Sequence, residues 1–191
     1  MEMQSVTRRS LIIIDDFYPD PDEVRAVALR ADFSVKGNYP GLRTRPYLTD
    51  YVINTIQDEV REPIKAWDED VANGSFQYTT CRDRTWIHAD THNNWAGVLY
   101  LTPDAPPSSG TAFYKHIETG CSHYPEEEAL RDKCGRDSQD YTKWVKLDSV
   151  ANVYNRLILF AARRFHASQD YFGDSLESGR LFQTFFFNTS R

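Results

Sequence analysis

Apolar and polar positions follow two different periods along this chain, and the change from one to the other falls near Ser75. In the first third, the apolar run Leu11 to Ile14 of "LIIIDDFY" predicts a short buried strand, which Asp15 and Asp16 end in a turn. "DPDEVRAVALRADF" then predicts a helix. Asp20 caps it, Pro21 suits its first turn, Asp22 and Glu23 favour its positive end, and Val24, Val27, Ala28 and Ala31 share one face. A second helix is expected from Thr49, with Ile53, Ile56 and Val60 spaced for burial and Pro63 limiting its extent. Between the two helices, "VKGNYPGLRTRPY" reads as a loop: Asn38, Pro40 and Gly41 demand a turn, and Arg43 and Arg45 place charge beside it.

From Ser75 onward the pattern becomes short apolar and aromatic runs punctuated by turns: "SFQYTTC", "RTWIHA", "WAGVLYLT", "TAFYKH", "VYNRLILFAA" and "LFQTFFFN". β-branched and aromatic residues dominate them, as strands prefer. Strands at this density imply a barrel or a two-sheet jelly roll. A polar insert from Ile117 to Val150 interrupts the series, with a short helix at "PEEEALRDKC". No repeat or low-complexity segment divides the chain, so residues 1–191 are expected to form one domain. Residues 1–74 would be a helical flank and 75–191 a β core carrying the insert at 117–150, which makes the class mainly β with a helical flank, α+β overall.

Composition narrows the partners. With 40% hydrophobic and 14% aromatic residues the chain has ample material for a core. A formal net charge of −6 argues against a broad nucleic-acid or anionic-membrane surface and favours a small-molecule or amino-acid-like substrate. Cys81, Cys121 and Cys134 form no CxxC pair, so neither a disulfide framework nor a thiolate zinc knuckle is suggested. The apolar run after Arg8 and Arg9 is too short for a signal-peptide core or a membrane span, and a cytoplasmic protein is expected.

The chemistry concentrates in "TWIHADTHNNW", residues 85–95. On an extended backbone His88 and Asp90 point to one side and Ala89 to the other. Two ligands from one segment leave a metal incompletely held, and His166, just after the apolar "NRLILFAARRF", is the candidate third. Two histidines and a carboxylate on one face of a metal leave open positions and suit non-haem Fe(II). Arg180, at the head of an intensely aromatic strand, would be costly there unless it met an anion.

In these elements the sequence resembles the Fe(II)- and 2-oxoglutarate-dependent oxygenases of the double-stranded β-helix fold, a jelly-roll or cupin-like architecture, in their prolyl-hydroxylase-like branch. The matching signature runs His88-Ala-Asp90, "GVLYLT", "SSGTAFYKH", "NRLILFAARRFHAS" with His166, and "GRLFQTFFF" with Arg180. The resemblance implies Fe(II) on His88, Asp90 and His166, 2-oxoglutarate as co-substrate with its far carboxylate on Arg180, and O2 as oxidant. A substrate C–H bond would be oxidised, most often hydroxylated, with release of succinate and CO2. Tyr100 is similar in position to hydroxyl groups that assist the co-substrate, although a tyrosine packed in a strand accounts for it equally. Arg180 lies fourteen positions after His166, a longer interval than that branch commonly has; Arg163 and Arg164 are rivals by proximity.

Other readings stay open. His92, four positions after His88, would pair with it on a helix as in zinc peptidases, but that motif carries glutamate beside the first histidine and here the neighbour is Ala89. His116 and His123 flank the insert and are expected at the surface; Trp86 and Trp95 are expected in the core. Substrate contacts are expected from the Asn38 to Arg45 loop, Arg43 foremost, from His92, Asn94 and Trp95, and from the insert, for which a lid over the substrate is an alternative to a plain polar surface segment. The rival class is a non-catalytic cupin-like module that binds a metal or ligand; a metal-dependent hydrolase ranks last, since no glutamate is placed as its base.

Overall fold

The computed structural model describes residues 9–67 and 73–190. Its strands are β1 (Leu11–Ile14), β2 (Leu42–Pro46), β3 (Ile64–Trp67), β4 (Ser75–Thr79), β5 (Trp95–Tyr100), β6 (Thr111–His116), β7 (Trp144–Val150), β8 (Leu157–Ala161), β9 (His166–Ser168) and β10 (Arg180–Thr189). The helices are α1 (Pro21–Leu29), α2 (Asp50–Val60) and α3 (Glu128–Arg136). The strands form two antiparallel sheets. The larger runs β1-β8-β5-β10-β4-β2, with β3 added beside the far half of β10; the smaller runs β7-β6-β9.

The period-2 pattern gives each strand of the larger sheet two faces. Along β10, Arg180, Phe182, Thr184 and Phe186 line an internal cavity, while Leu181, Phe185 and Phe187 pack with the helices. β8 does the same: Ile158 and Phe160 turn inward with Phe113 of β6, and Leu157 and Leu159 turn outward. Val52, Ile56 and Val60 of α2 and Ala28 of α1 cover that outward face. Asp20 caps α1 by accepting from the Glu23 amide at 2.9 Å, as its sequence predicts. Gln183 would be an error in an apolar layer, but it is satisfied, accepting from the Tyr18 hydroxyl at 2.8 Å and donating to the Tyr47 and Gly74 carbonyls at 3.0 and 2.9 Å.

Several local expectations are corrected. "RTWIHA" is no regular strand: residues 84–90 are irregular apart from one bridge between His88 and His166. β1 lies at the edge of its sheet, with Ile13 exposed, so it is only half-buried. In α2 the buried face is Val52, Ile56 and Val60; Ile53 lies beside it. The loop after α1 contains β2, and the stretch read as a polar insert contains β7, which pairs with β6 along its length. β7 escapes a hydrophobicity reading because its five central residues are exposed.

His116 is also corrected, being fully buried where a surface group was expected. Its Nε2 donates to Asp137 Oδ2 at 3.0 Å, its Nδ1 accepts from the Thr119 amide at 3.2 Å, and its ring packs on Trp144. The carboxylate comes from the end of α3, which no local pattern reveals. His123 is exposed as expected. Among the described residues, no helix is long and apolar enough to cross a membrane.

Candidate active site

Three side chains from two segments, His88 and Asp90 from one and His166 from the other, meet at the inner face of the two sheets. One ligand atom each from His88, Asp90 and His166 lies within 4.8 Å of the others, the one such group of histidine, cysteine and acidic residues among the described residues. Backbone pairing sets the arrangement: His88 N–H donates to the His166 carbonyl at 3.0 Å and His166 N–H to the His88 carbonyl at 2.8 Å. Asp90 is pinned by its own amide, which donates to the Ala162 carbonyl at 2.9 Å. Ala89 packs outward beside Ile87, as alternation requires. His166 opens β9 in the smaller sheet, opposite Phe113, so the chain crosses between sheets after β8 to deliver it.

Both rings are oriented the same way. His88 Nδ1 lies 3.0 Å from the Trp86 carbonyl, and His166 Nδ1 lies 2.8 Å from the Arg164 carbonyl. A carbonyl only accepts, so each ring carries its proton on Nδ1 and presents the Nε2 lone pair to the centre, the tautomer that a metal ligand needs. His166 Nε2 lies 3.4 Å from Asp90 Oδ2, and the two imidazole centroids are 4.4 Å apart. Burial pushes the His88 imidazole down to about 4, with the neighbouring His166 acting in the same direction. Burial alone would raise the Asp90 carboxyl, but the neighbouring His166, His88 and Arg43 outweigh it and hold it below the ordinary carboxylate range.

Arg180 lies deeper in the same cavity and is 1% exposed. Its Nε donates to the Ser109 carbonyl at 3.0 Å, and its guanidinium lies 4.3 Å from the Phe182 ring centroid and 5.3 Å from that of Tyr100. Its Nη1 and Nη2 are buried without a hydrogen-bond partner. A buried cation with two orphaned donors is a strongly unfavourable arrangement for a protein alone. Two such donors side by side on a cation match the two oxygens of a carboxylate, so the chemistry of this end of the cavity fits one end of a dicarboxylate. The rivals are engaged elsewhere: Arg163 with Glu126, and Arg164 with Asp148 at 2.6 Å and the Phe113 ring.

Tyr100 is fully buried, and its hydroxyl lies 2.9 Å from that of Thr111, which lines the cavity. Burial raises its pKa, and the Arg180 charge opposes that rise. Arg43 lines the cavity beside the three convergent residues. His92 is exposed at the outer mouth, and residues 88–92 form no helix, which removes the helical-pair alternative. Asn94 and Trp95 do not line this cavity. Asn94 is tied to β10, its amide donating to Asn188 Oδ1 at 2.9 Å and its Oδ1 accepting from the Thr189 amide at 3.0 Å. Trp95 packs in the outward core against Phe187, because β5 has begun and its side chain takes the helix-facing side. Trp86 is half-buried at the mouth rather than in the core. Sequence reasoning missed Gln77 and Tyr171 as lining residues, which come from segments that carried no chemical signal; Tyr39 lies in the 38–45 loop and Thr85 at the start of the 85–95 stretch, both of which it had singled out.

This architecture is a double-stranded β-helix, a fold that solved structures share. HygX from Streptomyces hygroscopicus, in a structure with nickel, 2-oxoglutarate and hygromycin B bound, superposes with a TM-score of 0.63 at 14% identity, over 95% of this chain and 83% of that one. The iron-bound HygX structure gives 0.59 at 14% identity, over 95% and 82%. A prolyl hydroxylase from Trichoplax adhaerens, in complex with a hypoxia inducible factor peptide fragment, gives 0.51 at 13% identity, over 93% and 83%. At such identities the likeness establishes the fold. The chain itself belongs to a family of unknown function, DUF6445, whose model matches residues 1–187. No curated protein matches the sequence.

Proposed function

We propose that this protein is an Fe(II)- and 2-oxoglutarate-dependent dioxygenase that oxidises, most often by hydroxylation, a C–H bond of a small-molecule, amino-acid-like or side-chain substrate. The observation that carries the reading is the pair of orphaned Arg180 nitrogens in the cavity that also holds His88, Asp90 and His166. A module that only binds a metal has no use for a buried, unsatisfied guanidinium beside it. Iron with bound 2-oxoglutarate and O2 supplies the oxidising power, the co-substrate leaving as succinate and CO2 and the substrate gaining one oxygen atom.

His88 and His166 would hold the iron through their Nε2 atoms and Asp90 would hold it through one carboxylate oxygen. The Trp86 and Arg164 carbonyls keep both rings in the ligating tautomer. Arg180, oriented by the Ser109 carbonyl, would pair with the far carboxylate of 2-oxoglutarate. The hydrogen-bonded hydroxyls of Tyr100 and Thr111 would stand near that end of the co-substrate. Val98, Phe160, Phe182 and Phe186 give the cavity apolar walls that limit water.

The test is succinate formation in air by the purified chain supplied with Fe(II) and 2-oxoglutarate. Turnover that requires both and disappears in His166→Ala is expected. No succinate from the wild type, with the metal bound, would turn the reading toward the cupin-like binding module.

A further inference from the structure

We propose that Cys121 and Cys134 are an oxidation site: hydrogen peroxide closes them into a disulfide, and the closure loosens His166 as a metal ligand. The coupling to His166 rests on the metal-binding reading of His88, Asp90 and His166, whereas the disulfide stands on the two thiols alone.

No motif in the sequence pairs these cysteines, yet the fold brings both thiols to one residue. Cys121 follows the turn after β6, and its Sγ lies 3.8 Å from the Thr119 carbonyl oxygen. Cys134 stands on α3, and its Sγ lies 3.6 Å from the Thr119 hydroxyl. Both side chains pack in one apolar cluster with Trp144 and Phe165. Burial pushes the Cys134 thiol up; the Thr119 hydroxyl opposes that rise and the neighbouring Cys121 adds to it. Neither cysteine lines the active-site cavity or its mouth.

Exposure sets the order of the chemistry. Cys121 is partly exposed and Cys134 is 2% exposed, so a small oxidant meets Cys121 first. The Cys121 sulfur attacks one peroxide oxygen, the O–O bond breaks, and hydroxide leaves as water with the thiol proton, which makes Cys121 a sulfenic acid. The Cys134 sulfur then attacks that sulfur, the S–O bond breaks, the S–S bond forms, and a second water leaves with the Cys134 proton. Two thiols are oxidised and one peroxide is reduced to two waters.

The new bond draws the sulfurs to about 2.0 Å. Cys134 is fixed in the core by its helix, so Cys121 is the partner that moves. The Cys121 carbonyl accepts from the His116 amide at 2.8 Å, and the Ser122 carbonyl accepts from the Phe165 amide at 3.0 Å. One turn on, the Tyr124 amide donates to the Arg163 carbonyl at 2.8 Å. Residues 122–124 therefore brace residues 163–165, and the Arg164 carbonyl orients the His166 ring. A pull on Cys121 reaches the carbonyl that holds the ligating tautomer.

The experiment treats the full, metal-free chain with one equivalent of hydrogen peroxide. Tryptic fragments are then mapped without reduction, and Mn(II), a poor partner for thiolates, is titrated by its paramagnetic resonance signal. Trypsin cuts at Arg131 and Lys133, so Cys121 and Cys134 fall on separate fragments that only a disulfide keeps together. That linked pair is expected, with Mn(II) bound about 3- to 10-fold more weakly than by the reduced chain, less than outright loss of an outer partner costs. Dithiothreitol should restore the affinity. Cys134→Ser should stop at a sulfenic acid on Cys121 that dimedone traps, Cys121→Ser should give no link and an affinity indifferent to peroxide, and Cys81→Ser should behave as the wild type. The proposal is overturned by the absence of the link, by sulfinic acid at Cys121 in its place, by a link through Cys81 alone, or by a link that leaves Mn(II) affinity unchanged. A fall in affinity that persists in Cys121→Ser also overturns it. A reduced wild type that binds no Mn(II) is a failure of the metal-binding reading, seen before any peroxide is added, and it takes the coupling with it.

Discussion

Two residues carry the sharpest consequences at the scale of single side chains. Arg180 costs stability in the protein alone, since it is buried and its Nη1 and Nη2 donors have no hydrogen-bond partner among the described residues. Arg180→Met should therefore raise the Tm of the ligand-free chain, by a few degrees for a gain of about 1–2 kcal/mol. The same substitution should raise the 2-oxoglutarate KM by about 10- to 100-fold while leaving iron affinity unchanged. Added 2-oxoglutarate should then stabilise the metal-loaded wild type but not the variant in a thermal melt. An unchanged KM would remove Arg180 from the co-substrate. His88 gives a pH signature. Burial lowers its pKa from 6.5 to about 4, so the folded chain holds the ring neutral while the unfolded chain binds a proton between those values. Stability from this source is complete above about pH 6.5 and is lost as pH falls toward 4. Urea midpoints of the metal-free protein should drop between pH 7 and pH 5, and His88→Gln should flatten that drop by about 1–2 kcal/mol. Equal slopes for the two proteins would show that the ring is not held neutral.

At the scale of elements, what the sequence announced and what it hid have physical causes. α1 and α2 were legible from their caps and apolar spacing, because those signals are local. Strands buried on both faces, such as β8 and β10, were legible as apolar and aromatic runs. β7 was hidden because its central residues face solvent, so it shows no hydrophobic period. The His88 segment misled in another way: its composition is strand-like, yet it joins no regular ladder and is ordered by the bridge to His166 and by single backbone bonds of Ile87 to Ser138 and Asp90 to Ala162. The 40–41 turn shows the link from element to site. Gly41 has φ +73°, and a Cβ there would lie 1.9 Å from the Tyr78 carbonyl oxygen, so only glycine lets β2 lie against β4 and bring Arg43 to Gln77. Gly41→Ala should cost about 1–3 kcal/mol in urea unfolding and weaken substrate-stimulated turnover more than iron binding. In α2, Ile56→Ala should cost about 2–5 kcal/mol with the visible spectrum of the loaded site intact, since its fully buried side chain packs on the face of the sheet opposite the cavity.

The molecule as a whole divides its labour between the two sheets. The larger sheet buries one face under the helices and turns the other to the cavity, while the smaller contributes His166 and closes the far side. The convergence of His88, Asp90 and His166 was readable from the i, i+2 spacing of the first two and from the apolar strand that delivers the third. Cavity walls such as Gln77 and Tyr171 were not, because they reach the site only through strand pairing and turns between distant segments. For the same reason Asn94 and Trp95, close to His88 in sequence, lie away from the cavity in space.

The central claim is that His88, Asp90 and His166 hold one ferrous ion to which 2-oxoglutarate binds under the control of Arg180. Anaerobic titration of the wild type with Fe(II) and 2-oxoglutarate tests it directly. A weak visible charge-transfer band that saturates at one iron per chain, is absent from His166→Ala and shifts to higher 2-oxoglutarate concentration in Arg180→Met is the predicted result. A wild type that binds iron but develops no such band, or a band that persists unchanged in His166→Ala, would contradict it.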